Sequence, residues 1–244
     1  SISVIDVRDP RAPIVRTASF SAFTGQEASL RAQGIRIYGP GASASQDFEP
    51  EYITVSADGT TAFVTLQENN AIAKIDIATA TVTNVFPLGE KDHGAVGNEF
   101  DASDSDGDTI NIRNWAGVIG LYLPDAMASY TAADGNTYLI TANEGDSRTW
   151  GEDNPAYFAG DASKGFVEEF RVKHLVNRNG WAGRLNDDLP AQLDDLANGG
   201  LLNPTVFGYC GAVAGNPNGC RADDQLGRLN VTWTMGYRTD ANGA

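Results

Sequence analysis

The fold is decided by residues 50–87, which read PEYITVSADGTTAFVTLQENNAIAKIDIATATVTNVFP. Apolar and polar residues alternate in four short runs, which is the pattern of strands with one buried face. The runs are 52–55, 62–66, 71–77 and 81–86. The Asp58-Gly59 pair after the first run favours a hairpin turn, because both residue types tolerate positive φ. Four antiparallel strands in about 40 residues is the size of one β-propeller blade.

The same pattern recurs at residues 129–146, where a strand, an Asp-Gly turn and a second strand follow one another. In each copy the turn Asp and a later Glu are ten positions apart. The aligned pairs are Asp58 with Asp134, Val64 with Ile140, Thr65 with Thr141 and Glu68 with Glu144. The opening run at 4–7 also repeats at 74–77. Matched features at fixed offsets indicate an internal repeat.

The repeat predicts an all-β chain, and we expect an incomplete β-propeller, with a β-sandwich as the alternative. We expect one domain over 1–244, with long insertions at about 89–124, 147–165 and 176–226. The last insertion carries leucines at helical spacing, which predicts a short helical segment. Both chain ends look cut, so the chain is interpreted as a fragment of a longer precursor. An open propeller exposes strand edges, and we expect a missing segment or another copy of the chain to cover them.

The composition narrows the range of partners. The chain has 32 acidic and 17 basic side chains, and its formal net charge is −15. Hydrophobic residues make up 41%, which is enough for a core and argues against a wholly disordered chain. No run approaches the roughly 20 apolar residues of a membrane span. The acidity argues against a nucleic-acid partner and suits a cation-binding protein that is secreted, periplasmic or at the cell surface.

Four acids are predicted to meet at one mouth of the propeller channel, because the start of one strand and the end of the next share one face of a hairpin. These acids are Glu51, Glu68, Asp125 and Glu144. Converging carboxylates repel one another unless they share protons or a cation lies between them. Calcium is the expected cofactor, since it takes several oxygen ligands. The alternative is that Glu68 and Glu144 only accept backbone hydrogen bonds at their turns.

A second acidic group, Asp101, Asp104, Asp106 and Asp108, resembles a calcium loop. It is not an EF-hand, because counting from Asp104 places Thr109 where the loop needs Gly and Trp115 where it needs Glu. The alternative is a solvated acidic loop.

Three residues that flank this loop are candidates for catalysis: Lys91 and His93 precede it, and Arg113 follows it. His93 has the chemistry of a base or a metal ligand, and Lys91 and Arg113 have that of an anion clamp. The alternative is that His93 is structural or solvated.

Cys210 and Cys220 flank a loop rich in Gly, Asn and Pro. A local disulfide is the expected pairing, which implies an oxidising compartment, and two unpaired thiols are the alternative.

Six longer motifs resemble the choice-of-anchor I family. They lie at 36–42, 46–53, 64–71, 88–93, 110–115 and 141–146. The resemblance implies a secreted bacterial propeller protein with a variable C-terminal anchor. Members are often labelled alkaline phosphatase, or are likened to a mesenchyme-specific cell-surface glycoprotein.

Two functions are compatible with these features. In the first, channel carboxylates hold calcium, the metal activates water, and Lys91 or Arg113 steadies the phosphate of a small anionic substrate. In the second, the chain is a non-enzymatic surface module that binds a ligand or protein and uses calcium structurally. A phosphate site needs several convergent basic residues, and the sequence offers two. We therefore expect a calcium-binding propeller module whose catalytic activity the sequence leaves open, with the non-enzymatic module as the alternative.

Overall fold

The structure is a computed structural model that describes residues 1–37, 39, 41–102, 109–150, 154–158, 161–168, 170–171 and 229–231. The described residues fall into two compact units. The first unit contains Ser1–Glu90 and Leu121–Asp146, and the second contains Lys91–Gly120 and the described part of Ser147–Trp233.

The described part of the chain is mostly β-structure. Its strands are β1 (Ile2–Asp6), β2 (Ile14–Ala18), β3 (Pro50–Val55), β4 (Thr61–Leu66), β5 (Ala71–Asp76), β6 (Thr81–Pro87), β7 (Lys91–Asp92), β8 (Ile119–Gly120), β9 (Pro124–Thr131), β10 (Thr137–Asn143), β11 (Thr149–Trp150), β12 (Phe166–Val167), β13 (Phe170–Arg171) and β14 (Asn230–Val231). Its helices are α1 (Glu27–Ala32), α2 (Ala44–Asp47), α3 (Pro155–Phe158) and two 3₁₀ turns, Ser21–Phe23 and Ala162–Lys164. The prediction of an all-β fold is confirmed, and none of the described sheets closes on itself.

The four-stranded sheet predicted from residues 50–87 is confirmed, with the order β3-β4-β5-β6 and antiparallel pairing throughout. The turn between β3 and β4 forms because Asp58 Oδ1 accepts bonds from Ser56 Oγ and Thr60 N, while Gly59 takes φ 72°. Asn70 takes φ 50° in the next turn, a conformation that Asn tolerates better than most residues.

The core of the first unit lies on one face of this sheet. Val64, Leu66 and Ile75 are fully buried there. They share a cluster with apolar residues from α1, α2 and the segments around them, including Phe20, Leu30, Ile35, Ile37 and Phe48. The rings of Phe20 and Phe48 meet edge to face, with centroids 5.1 Å apart. Helices α1 and α2 and the segments around them therefore cover this face of the sheet.

Two antiparallel hairpins accompany the sheet in the first unit. One is β1–β2, whose Arg16 guanidinium donates to the carbonyls of Ile77 and Ala78 in the turn between β5 and β6. The other is β9–β10, the predicted second copy of the repeat, which is confirmed as a hairpin.

The second unit is built from three short strand pairs, β7–β8, β11–β12 and β13–β14. It occupies most of the predicted insertion at 89–124 and the described part of 147–165. The predicted helical segment within 176–226 lies outside the described residues. Among the described residues, none of the helices is long and apolar enough to cross a membrane.

Candidate functional site

The β3–β4 and β9–β10 hairpins lie side by side through their first strands. Thr54 Oγ1 and Ser129 Oγ are 2.9 Å apart, and Ser129 Oγ also donates to the Val55 carbonyl over 2.9 Å. Further along, Thr65 Oγ1 donates to the Asp125 carbonyl over 3.0 Å. These bonds hold β9 beside β3, so the first residues of the two strands lie close to each other.

Each of these strands begins with a proline followed by an acid in a β-bulge. In β3, Pro50 pairs with Leu66 and Ile53 with Val64, so Glu51 and Tyr52 together oppose Thr65. In β9, Pro124 pairs with Asn143 and Met127 with Thr141, so Asp125 and its neighbour oppose a single residue. A bulge bends the strand and re-aims a side chain. Glu51 and Asp125 therefore occupy equivalent positions in two copies of the same bulge.

Thr65 holds the two bulges together. Its side chain is fully buried. Its Oγ1 accepts a hydrogen bond from Tyr52 N over 2.9 Å and donates to the Asp125 carbonyl. One hydroxyl thus satisfies a backbone group in each bulge, which a bulge leaves without a ladder partner.

Asn70 fixes the approach to β9. Its Oδ1 accepts from the backbone N–H groups of Tyr122 and Leu123 over 3.0 and 3.2 Å, and its Nδ2 donates to the Gly89 carbonyl over 2.7 Å. Leu123 takes φ 39°, an uncommon conformation for a residue with a branched side chain. The amide of Asn70 stabilises that turn and so determines where Asp125 starts its strand.

Glu144 reaches the same region from the end of β10. Gln67 is buried, and its Nε2 donates to Glu144 Oε2 over 3.3 Å. Glu144 and Asp146 are exposed, while Asp125 is half-buried. Carboxylates from both hairpins therefore lie at one end of the pair.

Electrostatics connects these carboxylates. Glu51 is exposed overall, but partial desolvation of its carboxyl group raises its pKa, and the neighbouring negative charges of Asp125, Asp146, Glu49 and Glu144 raise it further. A like charge disfavours ionisation of its neighbour, so the ionised acids of this group repel one another. We call Glu49, Glu51, Asp125, Glu144 and Asp146 the acidic cluster.

Three of the four predicted channel acids, Glu51, Asp125 and Glu144, belong to this cluster. The fourth predicted acid is Glu68. Glu68 is buried in the turn between β4 and β5, and its carbonyl accepts from Arg36 Nη1 over 2.5 Å. Asn69 in the same turn donates to Asp47 Oδ2 over 2.9 Å and to the Arg36 carbonyl. The Glu68 turn is thus part of a buried polar network that ties β4 to the segment before α2.

Across the residues that the structure describes, no three His, Cys, Asp or Glu side chains are placed together to hold a metal ion.

The second predicted calcium group lies mostly outside the described residues, which exclude Asp104, Asp106 and Asp108. Asp101 is exposed, and its Oδ2 accepts from Asn111 N over 2.9 Å. Cys210 and Cys220 also lie outside the described residues.

The predicted catalytic residues Lys91, His93 and Arg113 lie in the second unit. His93 Nδ1 is 2.8 Å from the Asn98 carbonyl, and its ring lies 4.3 Å from that of Phe100. Because a carbonyl only accepts, Nδ1 carries the proton and Nε2 is left as the basic nitrogen.

Arg113 is exposed, and its guanidinium lies 3.7 Å above the ring of Trp115. Trp115 is buried and donates through Nε1 to the Phe100 carbonyl over 3.0 Å. Lys91 sits in β7, where it pairs with Gly120. Arg113 is therefore engaged in a cation–π contact that stabilises its loop.

Comparison with known proteins gives one match. The model of the choice-of-anchor I domain matches residues 1–243. The chain belongs to the choice-of-anchor I family. Membership makes this protein a surface-associated extracellular module and confirms the predicted family. Among curated proteins and among solved structures, nothing matches this choice-of-anchor I chain.

Proposed function

We propose that this choice-of-anchor I chain is a non-enzymatic surface-binding module that takes up calcium at the acidic cluster. The observation that carries the proposal is the convergence of Glu51, Asp125 and Glu144 at one end of the two hairpins, and the raised pKa of Glu51 agrees with it. A divalent cation among these groups replaces repulsion with attraction.

The donors of the cluster suit calcium in chemistry, since all are carboxylate oxygens. Their side chains do not form a closed ligand cage among the described residues. Glu51, Glu144 and Asp146 are exposed and reach the ion by rotating about their side-chain bonds. Ordering these side chains costs entropy, so we expect a dissociation constant of about 10⁻⁴–10⁻³ M, the range of extracellular calcium modules.

We infer that the sheet β3–β6 is one blade of a propeller, which would make the cluster a contact between blades. Two observations support a propeller over a sandwich. The sheet is a simple meander of four strands. Its first strand lies beside the first strand of the next hairpin, which is how innermost strands meet around a propeller axis.

The phosphoesterase alternative has less support. The neighbours whose charges affect Glu51 most are negative, and a cluster of that sign repels phosphate. The predicted cations Lys91 and Arg113 belong to the second unit, and Arg113 is stacked on Trp115. We therefore favour binding over catalysis.

The test is thermal unfolding of chelator-treated protein with increasing calcium. Saturation at about ten times the dissociation constant stabilises by roughly 1.4 kcal/mol, which raises Tm by about 3–6 °C for a chain of this size. We expect this shift in the unmodified chain and in Glu90→Gln, a control at an exposed acid outside the cluster. The shift should be at most half as large in Glu51→Gln.

The same samples are assayed for hydrolysis of p-nitrophenyl phosphate with calcium present. We expect no turnover above the buffer rate. A Tm that calcium leaves unchanged would overturn calcium binding. If the unmodified chain hydrolyses the substrate and His93→Ala abolishes that turnover, the phosphoesterase function would replace the non-enzymatic one.

A further inference from the structure

A groove lies at the opposite end of the same two hairpins. The turn of β3–β4 and the turn of β9–β10 enclose a groove of about 390 Å³. Its lining includes Asp58, Thr61, Phe63, Lys74, Thr131 and Thr137. Four residues at positions 52–55 of β3 separate Glu51 from Ser56 at the rim, and five steps of extended chain span roughly 15 Å. The groove and the acidic cluster are therefore separate sites.

Lys74 supplies the positive charge of the groove. It lies in β5 opposite Phe63 of β4 and is half-buried. Among the described residues, none forms an ion pair or a side-chain hydrogen bond with its ammonium group. A half-buried cation without a protein partner keeps its three donors for a ligand or water.

Three threonines line the same groove as Lys74. Thr131 and Thr137 face each other across the β9–β10 ladder, and Thr61 lies at the start of β4. In the described part of the chain, the Oγ1 atoms of all three have no hydrogen-bond partner. Hydroxyls both donate and accept, so they match a ligand that carries hydroxyls itself.

Asp58 adds an acceptor at the exposed rim. Hydrogen bonds from Ser56 and Thr60 hold its pKa below the usual range, so the carboxylate is charged near neutral pH. Those side-chain and backbone bonds go to Oδ1, and Oδ2 takes none of them. Oδ2 can therefore accept a hydroxyl of the ligand, while the half-buried Phe63 ring offers an apolar wall.

We infer that the groove binds an acidic sugar, that is, a hydroxyl-rich ring bearing one carboxylate. The carboxylate would meet the Lys74 ammonium in a charge-assisted bond. The ring hydroxyls would meet Asp58 Oδ2 and the threonine hydroxyls, and the C–H face of the ring would cover Phe63. The negative net charge of the chain weakens the binding of an acidic sugar only slightly, because physiological salt screens charges that lie more than about 8 Å away.

The test is an NMR titration of ¹⁵N-labelled protein with sodium glucuronate, glucose, sodium acetate and glycine, in the presence of chelator. We expect glucuronate to shift the amides of residues 56–63, 74 and 131–137 and to bind about tenfold more tightly than each of the other three probes. Lys74→Gln should lose about tenfold for glucuronate, whereas Lys74→Arg and the exposed control Lys164→Gln should keep it.

Four outcomes would overturn the inference. They are the absence of shifts at these amides with glucuronate, equal affinity for glucose or acetate, tighter binding of glycine, and unchanged affinity in Lys74→Gln. Because calcium is absent, failure here leaves the cation proposal standing. Lys74→Gln is not informative if it alters the spectrum outside the groove. In that case glucuronate binding by Lys74→Arg is compared with binding by the unmodified chain, and a loss of binding in Lys74→Arg contradicts the role assigned to Lys74.

Discussion

The β3–β4 and β9–β10 hairpins are two copies of one repeat with different surroundings. They share a turn built on Asp-Gly and a bulge that begins with proline and an acid. Val64 in the first copy is fully buried, whereas its counterpart Ile140 is 61% exposed. Thr65 is fully buried, and its counterpart Thr141 is half-buried.

The difference comes from the neighbours of each hairpin. β4 pairs with β5 on its far side and packs against the apolar cluster around Phe20 and Phe48. Among the described strands, β10 pairs with β9 alone. Local sequence thus sets hairpin and bulge in both copies, while burial is set by what covers them. Equivalent substitutions should therefore have unequal effects.

The largest effect is expected at Asn70, which joins the first hairpin to the start of the second. Asn70→Ala leaves two backbone N–H groups and one carbonyl without partners and places Ala at positive φ. We expect a loss of about 3 kcal/mol in the free energy of unfolding, measured by urea denaturation. Asn136→Ala, in the exposed turn of the second hairpin, should cost less than about 1 kcal/mol. Equal losses would contradict the role given to Asn70.

The buried and exposed copies differ next at Val64 and Ile140. Val64→Ala removes two methyl groups from a closely packed core and should cost about 2–3 kcal/mol. Ile140→Ala removes more atoms from an exposed position and should cost under about 0.5 kcal/mol. The same denaturation series measures both, and a larger loss at Ile140 would show that another part of the protein covers β10.

Thr65 and Thr141 sharpen the comparison at the bulges. Thr65→Val keeps the volume but removes the bonds to Tyr52 N and to the Asp125 carbonyl. Because water reaches these groups in part, we expect a loss of about 1–2 kcal/mol. Thr141→Val should stay within about 0.5 kcal/mol, since its Oγ1 bonds only the exposed Asn143 side chain. A Thr65→Val chain as stable as the unmodified one would remove the proposed link between the bulges.

The smallest effect is expected at Glu51, and it depends on pH. Because the folded-state pKa of Glu51 is raised by burial and like charge, the unfolded chain releases this proton more readily. Stability at this site is therefore lost as pH rises from the ordinary Glu value through the raised one. Glu51→Gln should be slightly more stable than the unmodified chain at neutral pH and equal to it below pH about 4.

Thermal unfolding over pH 3.5–8 without calcium measures this, with Glu90→Gln as the control. If Glu51→Gln were less stable than the unmodified chain at neutral pH, the ionised Glu51 carboxylate would be stabilised by the folded protein. That result would contradict the repulsion proposed for the acidic cluster.

Sequence reasoning predicted the parts of the fold that local chemistry controls. The strands of residues 50–87 and the second hairpin follow from alternation and from Asp-Gly turns, and both are present. Glu51 and Asp125 were both predicted at one end of the hairpins, and in the structure each follows a proline that begins a bulge.

The remaining features depend on contacts between distant segments. The turn that carries Glu68 is held by Arg36 and Asn69 in a network with no repeat signature. Asn70, Thr65 and Gln67 were not predicted as positioning residues, since their partners lie 13 to 77 positions away. The QENN run between two predicted strands was the available signal, because four polar residues in a buried turn need partners.

The most direct test of the account is the pKa of the Glu51 side chain, followed by NMR of its carboxyl carbon during a pH titration without calcium. We predict a pKa above the ordinary Glu value, a lower pKa in Asp125→Asn, and a lower pKa again in the unmodified chain when calcium is added. An ordinary pKa that neither the substitution nor calcium changes would contradict the convergence of these carboxylates.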